Sequence, residues 1–135
     1  MTELRYLDET PAADEFRTLR VRAGLSPKTA EAADLGLPGT LFAVCVRAGD
    51  QLVGMGRIVG DGGLNYEVVD IAVDPDHQRK GIGYGVMERL MAWVHDNAPE
   101  TAYVSLIADD HAPALYAKFG FEPTAPKSIG MSITI

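Results

Sequence analysis

Asp70-Ile71-Ala72-Val73-Asp74-Pro75-Asp76-His77-Gln78-Arg79-Lys80-Gly81-Ile82-Gly83-Tyr84-Gly85 is the stretch on which the fold turns. Its front end is β-branched and apolar, the composition of a strand. Pro75 stops that run, because proline has no N–H to give a neighbouring strand. Two basic residues and three glycines at alternate positions follow. From Val86 the period changes: Val86, Met87, Leu90, Met91 and Val94 recur at spacings of three and four, one apolar face of a helix. The order is therefore strand, glycine-rich turn, helix.

That order has a chemical meaning. The first turn of a helix carries N–H groups with no partner inside the helix, and the helix dipole adds partial positive charge there. Glycines let a ligand's phosphates come close to the backbone. The stretch is built to hold a phosphate or pyrophosphate, with Arg79 and Lys80 adding positive charge beside it. It is not the dinucleotide fingerprint G-x-G-x-x-G, and no Gly-Lys-Ser/Thr follows to make a nucleotide phosphate loop.

The rest of the chain sets the frame. Its 135 residues are expected to form a single domain, 1–135, with a core that needs no staples. A hydrophobic share of 47% and a charged share of 23% are ordinary for a globular protein. No run approaches the roughly 18 apolar residues of a membrane helix, and Met1-Thr2-Glu3 opens no basic-then-apolar signal segment. No membrane association is expected, and cytoplasm is the default compartment. One cysteine excludes an intramolecular disulfide, and no Cys/His spacing suits a metal. A net charge of −7 argues against a nucleic-acid partner and is compatible with a cationic substrate.

Read in order, Leu4 to Leu7 is a strand. Thr10 and Pro11 suit the start of a helix whose Phe16, Leu19 and Ala23 share a face and which Gly24 ends. Ser26-Pro27 reads as the cap of a second helix to about Leu35, broken by Gly36-Leu37-Pro38-Gly39. Leu41–Ala48, Gln51–Val59 and Asn65–Val73 are strands joined at Gly49-Asp50 and Asp61-Gly62-Gly63. The helix after the glycines is expected to run to about Ala98. Tyr103–Ile107 is a buried strand, Ala112–Phe119 a short helix, and Phe121 and Met131–Ile135 begin and form two last strands.

Gln78-Arg79-Lys80-Gly81-Ile82-Gly83 resembles the Q/R-x-x-G-x-G/A acyl-CoA signature of the GNAT superfamily of N-acetyltransferases. Ala112-x-x-Leu115-Tyr116-x-x-Phe119-Gly120-Phe121 resembles that family's A-x-x-L-Y-x-x-x-G-F segment. The resemblance is specific from about Thr40 to Phe121. It implies an α/β (α+β mixed) fold, a mixed and mostly antiparallel sheet flanked by helices in the order β-α-α-β-β-β-α-β-α-β-β. It implies an enzyme that transfers an acetyl group from acetyl-CoA to a primary amine by direct attack, with no metal. A small-molecule amine is the preferred acceptor, since the chain is minimal. A protein N-terminus or lysine, or a non-catalytic CoA-binding sensor or subunit, is the alternative. A homodimer is an open option, because dimerisation through C-terminal strands occurs in the superfamily.

The resemblance also assigns residues. Ile71, Ala72 and Val73 would offer free backbone groups to the pantetheine arm. Backbone N–H groups of Arg79, Lys80, Gly81, Ile82, Gly83 and Tyr84 would hold the pyrophosphate. Tyr116 would lie by the thioester sulfur, where a phenol can protonate the departing thiolate. The family often has Asn seven residues before that tyrosine. Asp109 stands here, with Asp110 beside it, and a carboxylate cannot donate the hydrogen bond an amide can. Asp109 either keeps a cofactor contact or faces the amine. A protonated amine is no nucleophile, so a base is needed. Several superfamily members, protein acetyltransferases among them, carry a glutamate eleven residues before the Gln, which is Glu67 here, with Asp70 the second choice. Cys45, in the middle of an apolar strand, reads as a small buried residue. His77 and His111 read as loop surface, His95 as a helix-end cation, and Trp93, Met87 and Met91 as helix packing.

Overall fold

The computed structural model describes residues 3–109 and 112–135. In chain order it contains β1 (Leu4–Leu7), α1 (Ala13–Arg22), α2 (Ala30–Gly36), a 3-10 turn at Leu37–Gly39, β2 (Phe42–Ala48), β3 (Gln51–Gly60) and β4 (Asn65–Val73). A second 3-10 turn at Pro75–His77 leads into α3 (Ile82–Asn97), β5 (Tyr103–Leu106) and α4 (Ala112–Ala117). The five strands form one sheet in the order β1-β2-β3-β4-β5. β1 to β4 pair antiparallel, β2–β3 and β3–β4 through hairpins and β1–β2 across the two helices between them, and β5 pairs parallel to β4. A parallel neighbour needs a crossover, and α3 is that crossover. The β3–β4 turn is tied by Asp61, whose Oδ1 accepts from the N–H groups of Gly63, Leu64 and Asn65.

Helices cover both faces. Val86, Met87, Leu90, Met91 and Val94 of α3, the residues the spacing selected, are buried against Val44, Val53, Ile58 and Val68. Trp93 stacks on Phe42, ring centroids 5.4 Å apart. On the other face Phe16 and Leu19 of α1 and Ala33 of α2 pack on Cys45, Leu52, Met55 and Ala72. Burying such side chains, at about 1.5–3 kcal/mol each for the larger ones, holds the layers together.

One irregularity positions everything that follows. Arg57 pairs with Val69 and Met55 with Ala72, so β4 uses three steps where β3 uses two. The extra residue is a β-bulge at Asp70, whose φ is +59°. Asp and Asn enter that left-handed region more readily than most residues. Before the bulge Tyr66 and Val68 face α3; beyond it Ile71 and Val73 do, while Ala72 faces α1. Asp70 is turned to the α1 side, where Arg20 and Arg57 take its carboxylate.

Ion pairs dock α1 on that face. Arg22 grips Asp74 with Nε at 2.7 Å and Nη2 at 2.9 Å, and Arg47 grips Glu15. Asp74 is 1% exposed and also accepts from the N–H of Asp76. The Arg22 guanidinium holds its carboxyl down at about 2. A carboxyl depressed on folding contributes stability above its unfolded value, near 3.9, that is lost as pH falls through the folded one. Between about pH 4 and pH 2 the unfolding free energy should therefore fall less steeply in Asp74→Asn than in wild type, read by urea denaturation. An equal slope would remove this pair as a source of acid sensitivity.

Three expectations are corrected. The α1 cap is Ala12 rather than Thr10, because Glu15 Oε2 reaches back to the Ala12 N–H at 2.9 Å and satisfies it. The α2 cap is Thr29 rather than Ser26, its hydroxyl accepting from the Ala32 N–H. No strand follows β5 among the described residues: Phe121 and Met131–Ile135 are irregular. Met131 and Ile133 are each 87% exposed. Alternation makes a strand only where an open edge accepts its hydrogen bonds, and this segment pairs with no strand among the described residues.

Candidate active site

The site starts where two parallel strands part. β4 pairs with β5 from Asn65–Tyr103 to Val68–Leu106, and there the ladder ends. β5 stops at Leu106, while β4 bulges and runs on to Val73. From Val69 to Val73 the β4 edge facing away from β3 has no strand partner among the described residues. An unpaired edge offers N–H and C=O groups in register to an extended ligand. The side chains of Ile71 and Val73 pack towards α3 and Ala72 is buried on the other face. What these three residues can present is therefore backbone.

At the far end of that edge the chain turns into α3. The Asp74 N–H donates to Val53, closing the ladder, and Pro75–His77 forms the 3-10 turn. Arg79 at φ +65° and Gly81 at φ +74° then bend the backbone into the helix. The N–H groups of Gly81, Ile82, Gly83 and Tyr84 find no acceptor among the described residues; the first intrahelical bond runs from Gly85 to Gly81 at 3.0 Å. No acidic residue stands in that first turn, and Arg79 and Lys80 are exposed without an ion pair among the described residues. The three alternating glycines serve different ends. Gly81 supplies the left-handed turn. Gly85 lets Tyr6 approach, since an added Cβ would lie 2.8 Å from its ring. Gly83 leaves space, its nearest neighbour being Leu115 Cδ2 at 3.5 Å.

α4 closes the other side. Phe119, just past the end of α4, packs against Tyr84 with ring centroids 5.0 Å apart and planes tilted by 42°, tying this segment to the first turn of α3. The Tyr116 ring is buried, edge-on to Phe121, and its hydroxyl bonds to none of the described residues. Burial pushes its phenol up, and the charge of Asp109 pushes the same way. Asp109 itself is exposed. Asp110 and His111 lie outside the described residues.

Glu67 is half-buried on β4, opposite Val59 and Ser105, and its carboxylate pairs with nothing among the described residues. Asp70, the second candidate base, is occupied: one oxygen takes Nη1 of Arg20 and the other Nε of Arg57. His77 is not plain loop surface, because its Nδ1 is enclosed without a partner. Cys45 is fully buried, donates its thiol to the Glu9 carbonyl at 3.2 Å and is pushed up to about 12 by burial. His95 is exposed at the end of α3. Among the described residues no group of three or more His, Cys, Asp or Glu side chains could hold a metal ion, and no helix is long and apolar enough to cross a membrane.

Sequence reading missed Arg20 and Arg57. A signal was present in both. Arg20 follows Leu19 on the buried side of α1, and Arg57 sits between Gly56 and Ile58 in a strand with no other charged residue. A charge at such a place needs a partner or a purpose.

Residues 38–123 match the family model of the acetyltransferase (GNAT) domain. A solved structure from meticillin-resistant Staphylococcus aureus, a protein of unknown function named "Probable Acetyltransferase", is 45% identical. It superposes with a TM-score of 0.95 over 98% of this chain and 100% of that one. The chloroplastic GCN5-related N-acetyltransferase 2 of Arabidopsis thaliana is 32% identical over 72 residues, 53% of this chain and 27% of that protein. Histone acetyltransferase TAP1 of Glycine max is 31% identical over 72 residues, 53% of this chain and 28% of that protein. The match spans little more than a quarter of the length of these curated relatives.

Proposed function

This chain belongs to the GNAT acetyltransferase family, and from that premise we propose that it transfers an acetyl group from acetyl-CoA to the primary amine of a small molecule by direct attack. The observation that carries the reading is one continuous surface: a β4 edge with no strand partner among the described residues, ending at a helix start whose N–H groups find no acceptor among them. An extended arm ending in a pyrophosphate fits both parts. The backbone of Ile71, Ala72 and Val73 would hold the pantetheine. The N–H groups of Arg79, Lys80, Gly81, Ile82, Gly83 and Tyr84 would hold the pyrophosphate, with the Arg79 and Lys80 charges beside them.

Each residue then has a task. Glu67 accepts the amine proton, directly or through water, so that the nitrogen lone pair can attack the thioester carbonyl. A backbone N–H near Val73 polarises that carbonyl and stabilises the oxyanion. As the C–S bond breaks, Tyr116 gives its proton to the leaving thiolate, and its raised value keeps it protonated until needed. Asp109 supports that state through its charge, a different task from that of the usual asparagine.

Incubation with acetyl-CoA and a panel of primary amines should release thiol in proportion to N-acetylated amine. Thiol release that no amine accelerates would overturn the reading. A protein amine is the second reading, favoured by the relative called a histone acetyltransferase; faster acetylation of a lysine peptide than of any free amine would select it. Glu67→Gln should lower kcat/KM for the amine roughly a hundredfold and flatten the pH dependence at low amine. An unaltered pH profile would leave the proton to water.

A further inference from the structure

The α1 side of β4 carries a charge imbalance. The side chains of Arg20, Asp70 and Arg57 are 9%, 9% and 12% exposed. One carboxylate serves two guanidinium groups: Asp70 Oδ1 accepts from Arg20 Nη1, and Oδ2 from Arg57 Nε at 2.7 Å. The other acceptors are neutral, the carbonyl and hydroxyl of Ser26 for Arg20 and the hydroxyl of Thr40 for Arg57. Both guanidinium groups lie over the Phe16 ring, at 5.9 and 5.5 Å. No second carboxylate among the described residues reaches either arginine. Guanidinium stays charged. The cluster therefore holds one uncompensated positive charge in a nearly enclosed place, although the whole chain is at −7. A buried charge without a counter-ion is costly.

The surplus points outward. Arg57 Nη2 hydrogen-bonds to none of the described residues. Among the described residues the one enclosed side-chain nitrogen or oxygen without a partner is His77 Nδ1, so Arg57 Nη2, on a side chain that is 12% exposed, is not wholly enclosed. Arg57 pairs with Val69, the first β4 residue beyond the last β4–β5 pair, and faces away from α3. The donor reaches the strand gap from the α3 start, which leaves the opposite side for the acceptor. Across the bulge β4 advances from Val69 to Ala72 only as far as β3 does from Arg57 to Met55, about 7 Å, the reach of a few covalent bonds.

We infer that Arg57, braced by Asp70 and Arg20, binds an anionic group of the acceptor, so that the substrate is a small amine with a carboxylate or phosphate a few bonds from its amino group. This rests on the acetyl-transfer reading above. Asp70, on the stretch of β4 that borders the gap, holds Nε of Arg57 and leaves Nη2 for the ligand. Arg20 balances Asp70, so that Arg57 keeps its charge for the ligand. These two are positioning residues; Arg57 makes the contact.

The test compares β-alanine, 2-aminoethyl phosphate and propylamine, whose amines are of similar basicity, as acceptors for wild type, Arg57→Gln and Arg57→Lys. A charge-assisted hydrogen bond predicts about a tenfold or greater advantage in kcat/KM for an anionic member over propylamine, carried by KM. The two anionic members tell carboxylate from phosphate. In Arg57→Gln the ratio should fall towards one, and Arg57→Lys should restore part of it. Propylamine as good as both anions, or a ratio unmoved by Arg57→Gln, overturns the inference. Where none of the three is acetylated, N-acetyl-β-alanine and N-propylacetamide are titrated calorimetrically. Binding of the anion alone, lost in Arg57→Gln, supports the inference; no preference for the anion overturns it. Acetyl-CoA titrated into all three proteins reports on folding and on the donor site, so failure of the acetyl-transfer reading is seen separately.

Discussion

Acetyl-CoA should titrate into the wild-type protein as a saturable micromolar interaction, and the same titration into Gly83→Glu should show none. Gly83 lies in the first turn of α3, and a Cβ there would meet only Leu115 Cδ2 at an ordinary 3.5 Å. Gly83→Ala should therefore fold and bind. An acid in the first turn of a helix agrees with the helix dipole, so Gly83→Glu should fold as well. What it changes is the anion site. Its carboxylate competes for the N–H groups of Gly81 to Tyr84, which have no acceptor among the described residues, and repels the pyrophosphate. Like charges brought together cost several kcal/mol, which is at least about a hundredfold in affinity. Unchanged binding by Gly83→Glu would move the pyrophosphate away from this helix. No binding by the wild type would withdraw the donor site and every role built on it.

Tyr116→Phe should lower kcat roughly a hundredfold, the scale of a positioned acid, with acetyl-CoA affinity nearly unchanged. The ring that fills the core stays, so packing is kept; only a hydroxyl that bonds to no described residue is removed. The phenol works in its protonated form, and burial and Asp109 hold its value above the ordinary 10.0. Activity that depends on it should persist above that pH and fall only as the phenol ionises. Removing a nearby negative charge makes the phenolate easier to form, so Asp109→Asn should shift the alkaline limb to lower pH. Full turnover in Tyr116→Phe would remove the acid role; an unmoved alkaline limb in Asp109→Asn would remove the coupling.

Legibility of the site followed the range of the forces involved. The strand-turn-helix unit could be read because each part is local: Pro75 ends a strand by lacking a donor, Gly81 supplies a left-handed φ, and the spacing of Val86 to Val94 selects the buried face. The short helix that carries Tyr116 was legible through the segment around it. Asp70 was misplaced as a second base. A one-residue bulge reverses which face each side chain takes, and the two arginines that occupy Asp70 come from elements 50 and 13 residues away. The last two strands were overread for the same reason. Phe121 and Met131–Ile135 have the right alternation, but a strand exists only with a partner edge.

By itself the sequence determined the element order from Leu4 to α4, the apolar faces of α1 and α3, and the helix start that suits a phosphate. All three follow from interactions within a few residues: periodicity, capping and glycine conformation. Only the tertiary structure decided that β4 and β5 part at Val68 and Leu106, that Glu67 is left unpaired among the described residues while Asp70 is held, and that one carboxylate there serves two guanidinium groups. Those are matters of register and charge balance between distant segments. Register is set by which faces bury together, and a charge has its chemical meaning only once its neighbours in space are counted.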